Sequence, residues 1–291
     1  MTPFAIAGIQ MPVSIEFSNI DAMGQRLGRL MHRFPFVQMV VFSELCSFGP
    51  LPTHAQPLPG PAEEAFCRMA EYYKIWLIPG SLFERRGEAI FNTAPVIDPA
   101  GHVIARYRKM FPFRPYEHDI EAGTDFVVFD VPQVGRFGLS ICYDMWFPET
   151  TRQLVAMGAE VILHPSLTDT LDREAELVLA RASSITNQCY FFDINGLGDG
   201  GSGRSIIVDP TGSVLHQAAA GPELMPIEVD FDQVRRQRAA GMRLLGQPLK
   251  SFRDRPVDFP VYQREAVTVE YLNGLGPLQK PERGSRAGLV E

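Results

Sequence analysis

Hydrophobic positions along the chain fall into short runs that alternate between two periods. Residues 4–10 are almost wholly apolar, as in a strand buried on both faces. Over residues 15–34 the spacing becomes helical, with Ile20, Met23, Leu27, Leu30 and Met31 on one face. Residues 36–42 predict a second buried strand, Gly60-Pro61 opens a helix to about Tyr73, and 75–83 is the next strand. Strands at 89–97 and 102–107 flank the turn Asp98-Pro-Ala-Gly101. The same turn chemistry returns at Asp209-Pro-Thr-Gly212, between strands at 205–209 and 213–216. Between the two hairpins the pattern predicts strands at 124–131, 135–142, 160–164 and 188–194, and helices at 149–157 and 172–187. A strand at 225–230 completes the series. Strand, helix and strand in succession, with hairpins inserted, indicate an α/β fold with mixed sheets. No linker-like stretch divides residues 1–245, which read as one catalytic domain. Residues 246–291 turn rich in proline and charge and read as an extended C-terminal extension.

Composition narrows the function classes. The chain has 291 residues, 45% of them hydrophobic, enough for a substantial core. A formal net charge of -7 leaves no basic surplus to neutralise phosphates, so neither nucleic acid nor an anionic membrane is expected as partner. No apolar stretch approaches the roughly 20 residues a membrane span requires. The first ten residues lack the basic start and apolar core of a secretion signal. Cys46, Cys67, Cys142 and Cys189 are scattered, with neither CxxC pairs nor zinc-ligand spacing. A soluble protein of the reducing cytoplasm, without disulfides, is the expectation.

Three residues carry candidate chemistry. Cys142 ends an apolar run and precedes a helix with Pro148 near its first turn, where free backbone N–H groups and the positive dipole end favour a nucleophilic sulfur. Taken alone, a buried packing cysteine is the better reading. Glu44 follows the apolar strand ending at Phe42, at the carboxyl end where ligands gather in α/β sheets. Lys109 lies between Arg106-Tyr-Arg108 and Met110-Phe-Pro-Phe113; alone it reads as a loop lysine. Together they supply a base, a fixed cation and a nucleophile.

At these residues the chain resembles the nitrilase, or carbon–nitrogen hydrolase, superfamily, whose Glu-Lys-Cys triad has this order. The resemblance covers about residues 4–231. It rests on Val41-Phe-Ser-Glu44, Tyr107-Arg-Lys109, Cys142-Tyr-Asp-Met-Trp-Phe-Pro-Glu149, Ala180-Arg-Ala182, and Gly203-Arg-Ser205 leading to Asp209-Pro-Thr-Gly212. It implies an αββα four-layer sandwich of two mixed sheets between outer helices. It also implies subunits paired face to face as a homodimer or higher homo-oligomer, the extension from 246 crossing to a neighbour. By the same resemblance Glu44 is the general base, Cys142 the nucleophile, and Lys109 with the Tyr143 backbone N–H the oxyanion site. Glu117 is the second glutamate, with Glu121 as fallback. No metal or organic cofactor is implied. Cys142-Tyr143-Asp144 has the form found in amidases and carbamoylases rather than the Cys-Trp-Glu of nitrilases, so a small-molecule amide substrate is expected. Carboxylate-recognising relatives carry arginine in the next two positions, where this chain has Met145 and Trp146. Phe113, Tyr116, Met145 and Trp146 suggest an apolar wall, and His164, at a strand end, is a further candidate for the pocket. Arg114 remains available to a carboxylate from the other side.

Overall fold

The apolar runs become the strands of two mixed sheets. A computed structural model describes residues 3–263 and 270–280. In the first sheet, Glu223–Asp230, Pro3–Gln10, Met39–Phe42, Trp76–Ile78, Ala89–Ile97 and Leu82–Arg86 lie side by side, and Val103–Arg108 also pairs with Ala89–Ile97. Its three central strands, Pro3–Gln10, Met39–Phe42 and Trp76–Ile78, run parallel, and the outer pairings are antiparallel. The second sheet runs Val214–Gln217, Ile206–Val208, Tyr190–Asn195, Val161–Ser166, Gly135–Leu139, Val127–Val131, again parallel at its centre.

Alternation along the strands builds the layers. Ile6, Met39, Val41 and Ile78 of the first sheet meet Phe137, Leu139, Leu163 and Phe192 of the second in a central core. On the opposite face Ala7, Ile9, Val40 and Phe42 pack against the helices Ile20–Arg33 and Pro61–Tyr73 through Met23, Leu27, Leu30 and Phe66. Ile162 and Phe191 cover the helices Pro148–Ala156 and Asp172–Asn187 through Leu154, Leu177 and Ala180. Helix, sheet, sheet and helix make the four-layer sandwich.

Several boundaries differ from the sequence expectation, each for a local reason. The first helix begins at Ile20 rather than 15, because Asn19 folds the preceding turn onto itself. Its Oδ1 accepts from the Ser14 N–H at 3.0 Å and its Nδ2 donates to the Ser14 carbonyl at 2.9 Å. The strand expected over 75–83 breaks into Trp76–Ile78 and Leu82–Arg86 at Gly80, whose φ is +78°. A side chain there would put its Cβ 1.8 Å from the Ser43 carbonyl oxygen, so glycine lets the chain pass against the backbone that leads to Glu44. An unforeseen helix, Phe231–Ala240, buries only Phe231 and Val234.

Beyond 246 the described residues form a short helix, Pro248–Asp254, whose Leu249 packs on the outer cluster with Leu154 and Leu177. Phe252, Val257, Phe259 and Tyr271 are exposed. Residues 264–269 and 281–291 of the expected extension lie outside the described residues. Among the described residues no helix is long and apolar enough to cross a membrane.

Candidate active site

Glu44, Lys109 and Cys142 come from three separate strand ends and meet between the sheets. Glu44 follows Met39–Phe42, and its N–H donates across to the Ser166 carbonyl of the second sheet at 3.2 Å. Lys109 follows Val103–Arg108, held by its N–H to the Asn92 carbonyl at 2.8 Å. Cys142 comes after Gly135–Leu139 and opens a 3-10 turn, Cys142–Trp146, with φ of +46°. A non-glycine residue rarely holds that left-handed backbone, and such residues cluster at functional sites. The strand expected to run to 142 therefore stops three residues short, and the turn aims the sulfur.

Glu44, Lys109 and Cys142 are 2%, 1% and 8% exposed. Lys109 Nζ lies 2.9 Å from Glu44 Oε1 and 3.0 Å from Glu117 Oε2. Asn92 Nδ2 donates to the same Glu44 Oε1 at 2.7 Å, and Cys142 lies beside this carboxylate. Glu117 is fixed by the Phe113 N–H, 2.6 Å from its Oε2. Glu121, the alternative to it, sits instead in a surface groove with Arg86 and Arg108. Of the two carboxylates, only Glu117 reaches the lysine.

Burial pushes Glu44 above the usual carboxylate range; Lys109 opposes the shift and Glu117 adds to it. Burial also disfavours the Lys109 cation, but Glu44 and Glu117 hold the ammonium well above its ordinary value. Burial and the Glu44 charge raise the Cys142 thiol well above its usual range, against Lys109. The resting sulfur thus keeps its proton beside a carboxylate able to take it, with a permanent cation at hand. By contrast Cys46 and Cys189 are buried thiols pushed up to about 12, which fits packing.

Asp144 locks the arrangement. Its Oδ2 accepts from the Ile141 N–H at 2.8 Å and the Tyr107 hydroxyl at 2.6 Å, and its Oδ1 from the Phe111 N–H at 2.9 Å. One buried carboxylate thereby joins the turn bearing Cys142 to the segment bearing Lys109. Burial raises Asp144 to about 6 despite these three bonds. Replacement by alanine strands three donors, each worth about 1–3 kcal/mol when buried and unmet. Urea unfolding of Asp144→Ala is therefore expected to show a loss of roughly 3 kcal/mol or more. A loss below about 1 kcal/mol would mean that Asp144 holds nothing of consequence.

A cavity of about 130 Å³ opens at the sulfur. Phe113, Tyr143 and Trp146 form one wall. Leu167, Thr168, Asp169 and Thr170, on the loop after Val161–Ser166, form another, and Glu176 reaches in from the helix Asp172–Asn187. Three residues expected at the pocket, Met145, His164 and Tyr116, do not line it. Met145 is buried in the outer core with Leu154 and Leu177, because consecutive residues of a tight turn face opposite sides. His164 is wholly buried, its Nδ1 2.7 Å from Ser140 Oγ and its ring 5.1 Å from that of Phe191. Burial lowers it to about 4, so the imidazole is neutral. Tyr116 is exposed and stacks on Phe113 at 5.1 Å without lining the cavity. Arg114 is used by the carbonyls of His118 and Ile120. Asn92, Asp144, Thr168 and Glu176 escape a reading of the sequence, since each is an ordinary polar residue within a helix, strand or loop. Among the described residues no group of three or more His, Cys, Asp or Glu is disposed to hold a metal ion.

Comparison with known proteins bears on the family and the fold. The model of the carbon-nitrogen hydrolase family matches residues 5–239. The chain is 33% identical over 192 residues to deaminated glutathione amidase of Dictyostelium discoideum, across 59% of this chain and 66% of that protein. It is 27% identical over 198 residues to omega-amidase NIT2 of Homo sapiens, across 63% and 71%. It spans just under two thirds of the deaminated glutathione amidases, 66% of the Dictyostelium protein and 63% of that of Mus musculus. The fold matches Saccharomyces cerevisiae Nit3 with a TM-score of 0.75 at 24% identity, over 82% of this chain and 94% of that one. It matches a carbon-nitrogen hydrolase of Helicobacter pylori G27 with a TM-score of 0.77 at 23% identity, over 91% and 99%. With the family model matching residues 5–239 of 291, the chain belongs to the carbon–nitrogen hydrolase family.

Proposed function

We propose that this protein is a thiol-dependent amidase that hydrolyses a small, neutral or hydrophobic carboxamide to acid and ammonia through a thioester. The observation that carries this reading is the buried contact of Glu44, Lys109 and Glu117 at a cavity floored by Cys142. Glu44 takes the thiol proton as the sulfur bonds to the amide carbon. The Lys109 ammonium and the Tyr143 N–H stabilise the oxyanion. The proton then passes from Glu44 to the amide nitrogen, the C–N bond breaks and ammonia leaves. Glu44 next takes a proton from water as its oxygen adds to the thioester carbon. Collapse of that intermediate releases the acid and returns the proton to sulfur. Glu117 keeps Lys109 in place and gives the buried cation a second counter-charge.

The lining supports a neutral acyl group. The charged residues along its walls are the carboxylates Asp169 and Glu176, and the Lys109 cation beside the sulfur is already paired with Glu44 and Glu117. A substrate carboxylate would meet like charge, which costs several kcal/mol. A cysteine-to-alanine mutant of the amidase from Nesterenkonia sp. AN1, of the same fold, is known in complex with the neutral amide butyramide. Ammonia release is therefore expected from butyramide with kcat/KM at least about 100-fold above that for succinamate, its carboxylated counterpart. N-carbamoyl-β-alanine and butyronitrile are expected to be slower than butyramide. A preference for succinamate would overturn the neutral-acyl reading, and turnover of the nitrile alone would overturn the amidase reading.

A further inference from the structure

Behind the nucleophile lies a cluster of buried charges that the scheme above leaves without a task. Arg173, Glu176 and Asp193 are all almost fully buried. Arg173 Nη1 lies 3.1 Å from Glu176 Oε2 and 2.8 Å from Asp193 Oδ2, and the Ser166 hydroxyl donates to Asp193 Oδ1 at 2.7 Å. Such a cluster is commonly no more stabilising than apolar packing of the same volume, so stability does not account for it. It points at the sulfur. The Thr168 hydroxyl donates to Glu176 Oε1 at 2.9 Å, and its oxygen stands 3.9 Å from Cys142 Sγ. The thiol itself donates toward the Leu167 carbonyl at 3.6 Å.

The direction of the Thr168 hydrogen is the informative detail. Because it is spent on Glu176, the Thr168 oxygen offers the sulfur only lone pairs. Lone pairs accept an S–H but repel a thiolate, as does the carbonyl of Leu167. We propose that Glu176, acting through the Thr168 hydroxyl, is a positioning residue that keeps Cys142 as the neutral thiol from the side opposite Glu44. The sulfur then loses its proton only to Glu44, in step with attack on the substrate, and does not persist as an exposed thiolate. The other charged groups near the sulfur are Glu44 and Lys109, from the strand ends of the first sheet, Glu117 on Lys109, and Asp169 in the cavity wall, and behind Glu176 stand Arg173 and Asp193. The neighbouring His164 is neutral, since burial lowers it to about 4. Burial lifts Glu176 itself to about 7, so its charge changes within the pH range over which alkylation of the thiol is followed.

This inference rests on the proposed nucleophile, but its test does not need an amide substrate. Alkylation of Cys142 by iodoacetamide is followed from pH 5 to 10 and read on the Cys142 peptide by mass, since the partly exposed Cys67 also reacts. Glu176→Gln removes the negative charge and offers Thr168 an amide whose N–H₂ can donate to the hydroxyl oxygen, so that the Thr168 hydrogen can turn to the sulfur. The midpoint is expected to fall by about one pH unit, giving roughly tenfold faster alkylation at pH 7. Thr168→Val is expected to move it in the same direction, and Thr168→Ser to leave it where it is. A midpoint that stays put or rises in folded Glu176→Gln overturns the proposal. Should that variant not fold, an identical profile for Thr168→Val and Thr168→Ser overturns it instead. A purely structural Glu176 would alter the unfolding transition without moving the alkylation midpoint. If the panel of amides is not hydrolysed yet the midpoint shifts as stated, the amidase reading fails and this one stands.

Discussion

Cys142→Ala is expected to lose all measurable amide turnover while unfolding within about 1 kcal/mol of the parent protein. In the proposed scheme the sulfur is the atom to which the substrate carbon bonds, so its removal deletes the route rather than slowing one step; loss of a nucleophile of this kind costs on the order of a million-fold in kcat. The fold depends little on it. Loss of a single buried sulfur leaves a small cavity, and its weak contacts with Leu167 and Thr168 are long, at 3.6 and 3.9 Å. Circular dichroism and urea unfolding check the second half of the prediction, and ammonia release checks the first. An intact-mass spectrum of the wild-type protein with butyramide is expected to show an acyl adduct that the variant lacks. Activity above about 1% of wild type in the folded variant would remove Cys142 from the mechanism.

The second large effect is expected from Glu44→Gln, a fall of two to four decades in kcat/KM, about what a positioned base contributes. Glutamine keeps one carbonyl oxygen for Lys109 and Asn92, so the variant is expected to fold; it then turns an amide N–H₂ toward a thiol that needs an acceptor. The pH profile gives a separate reading. A base works only when ionised, and burial raises Glu44 above the usual carboxylate range against the pull of Lys109. In the wild type kcat/KM therefore falls as the pH drops through that raised value, at a higher pH than an exposed glutamate would give. The residual activity of Glu44→Gln is expected to lack this acidic limb. A decrease smaller than tenfold, or an unchanged acidic limb, would move the base to another carboxylate, and Glu117 is the one within reach of Lys109.

The residues that meet at the sulfur were legible only in combination. Lys109 and Cys142 alone read as a loop lysine and a packing cysteine, and it was their order with Glu44, shared with the carbon–nitrogen hydrolases, that singled them out. Glu44, Lys109 and Cys142 each follow a strand, and strand ends of packed sheets converge. Glu117 and Glu121 are only one turn apart, and nothing local separates them; the Phe113 N–H and Lys109 do so in three dimensions. The direction of a side chain leaving a tight turn is equally invisible, which is why Trp146 lines the cavity and Met145 does not. His164 belongs to a strand that continues to Ser166, so the residue taken as a strand end is a buried interior position. Glu176 looks like the polar face of an amphipathic helix until the Thr168 loop is laid over it. The helix Phe231–Ala240 went unseen because two buried apolar residues in ten make too weak a stripe.

The Asp144 clamp has a bearing on redesign. Since one carboxylate fastens both the turn that carries the sulfur and the chain that carries the ammonium, neither segment can be re-spaced without dragging the other. Efforts to widen the range of acyl groups accepted are better directed at residues 167–170, a wall that this fastening does not reach.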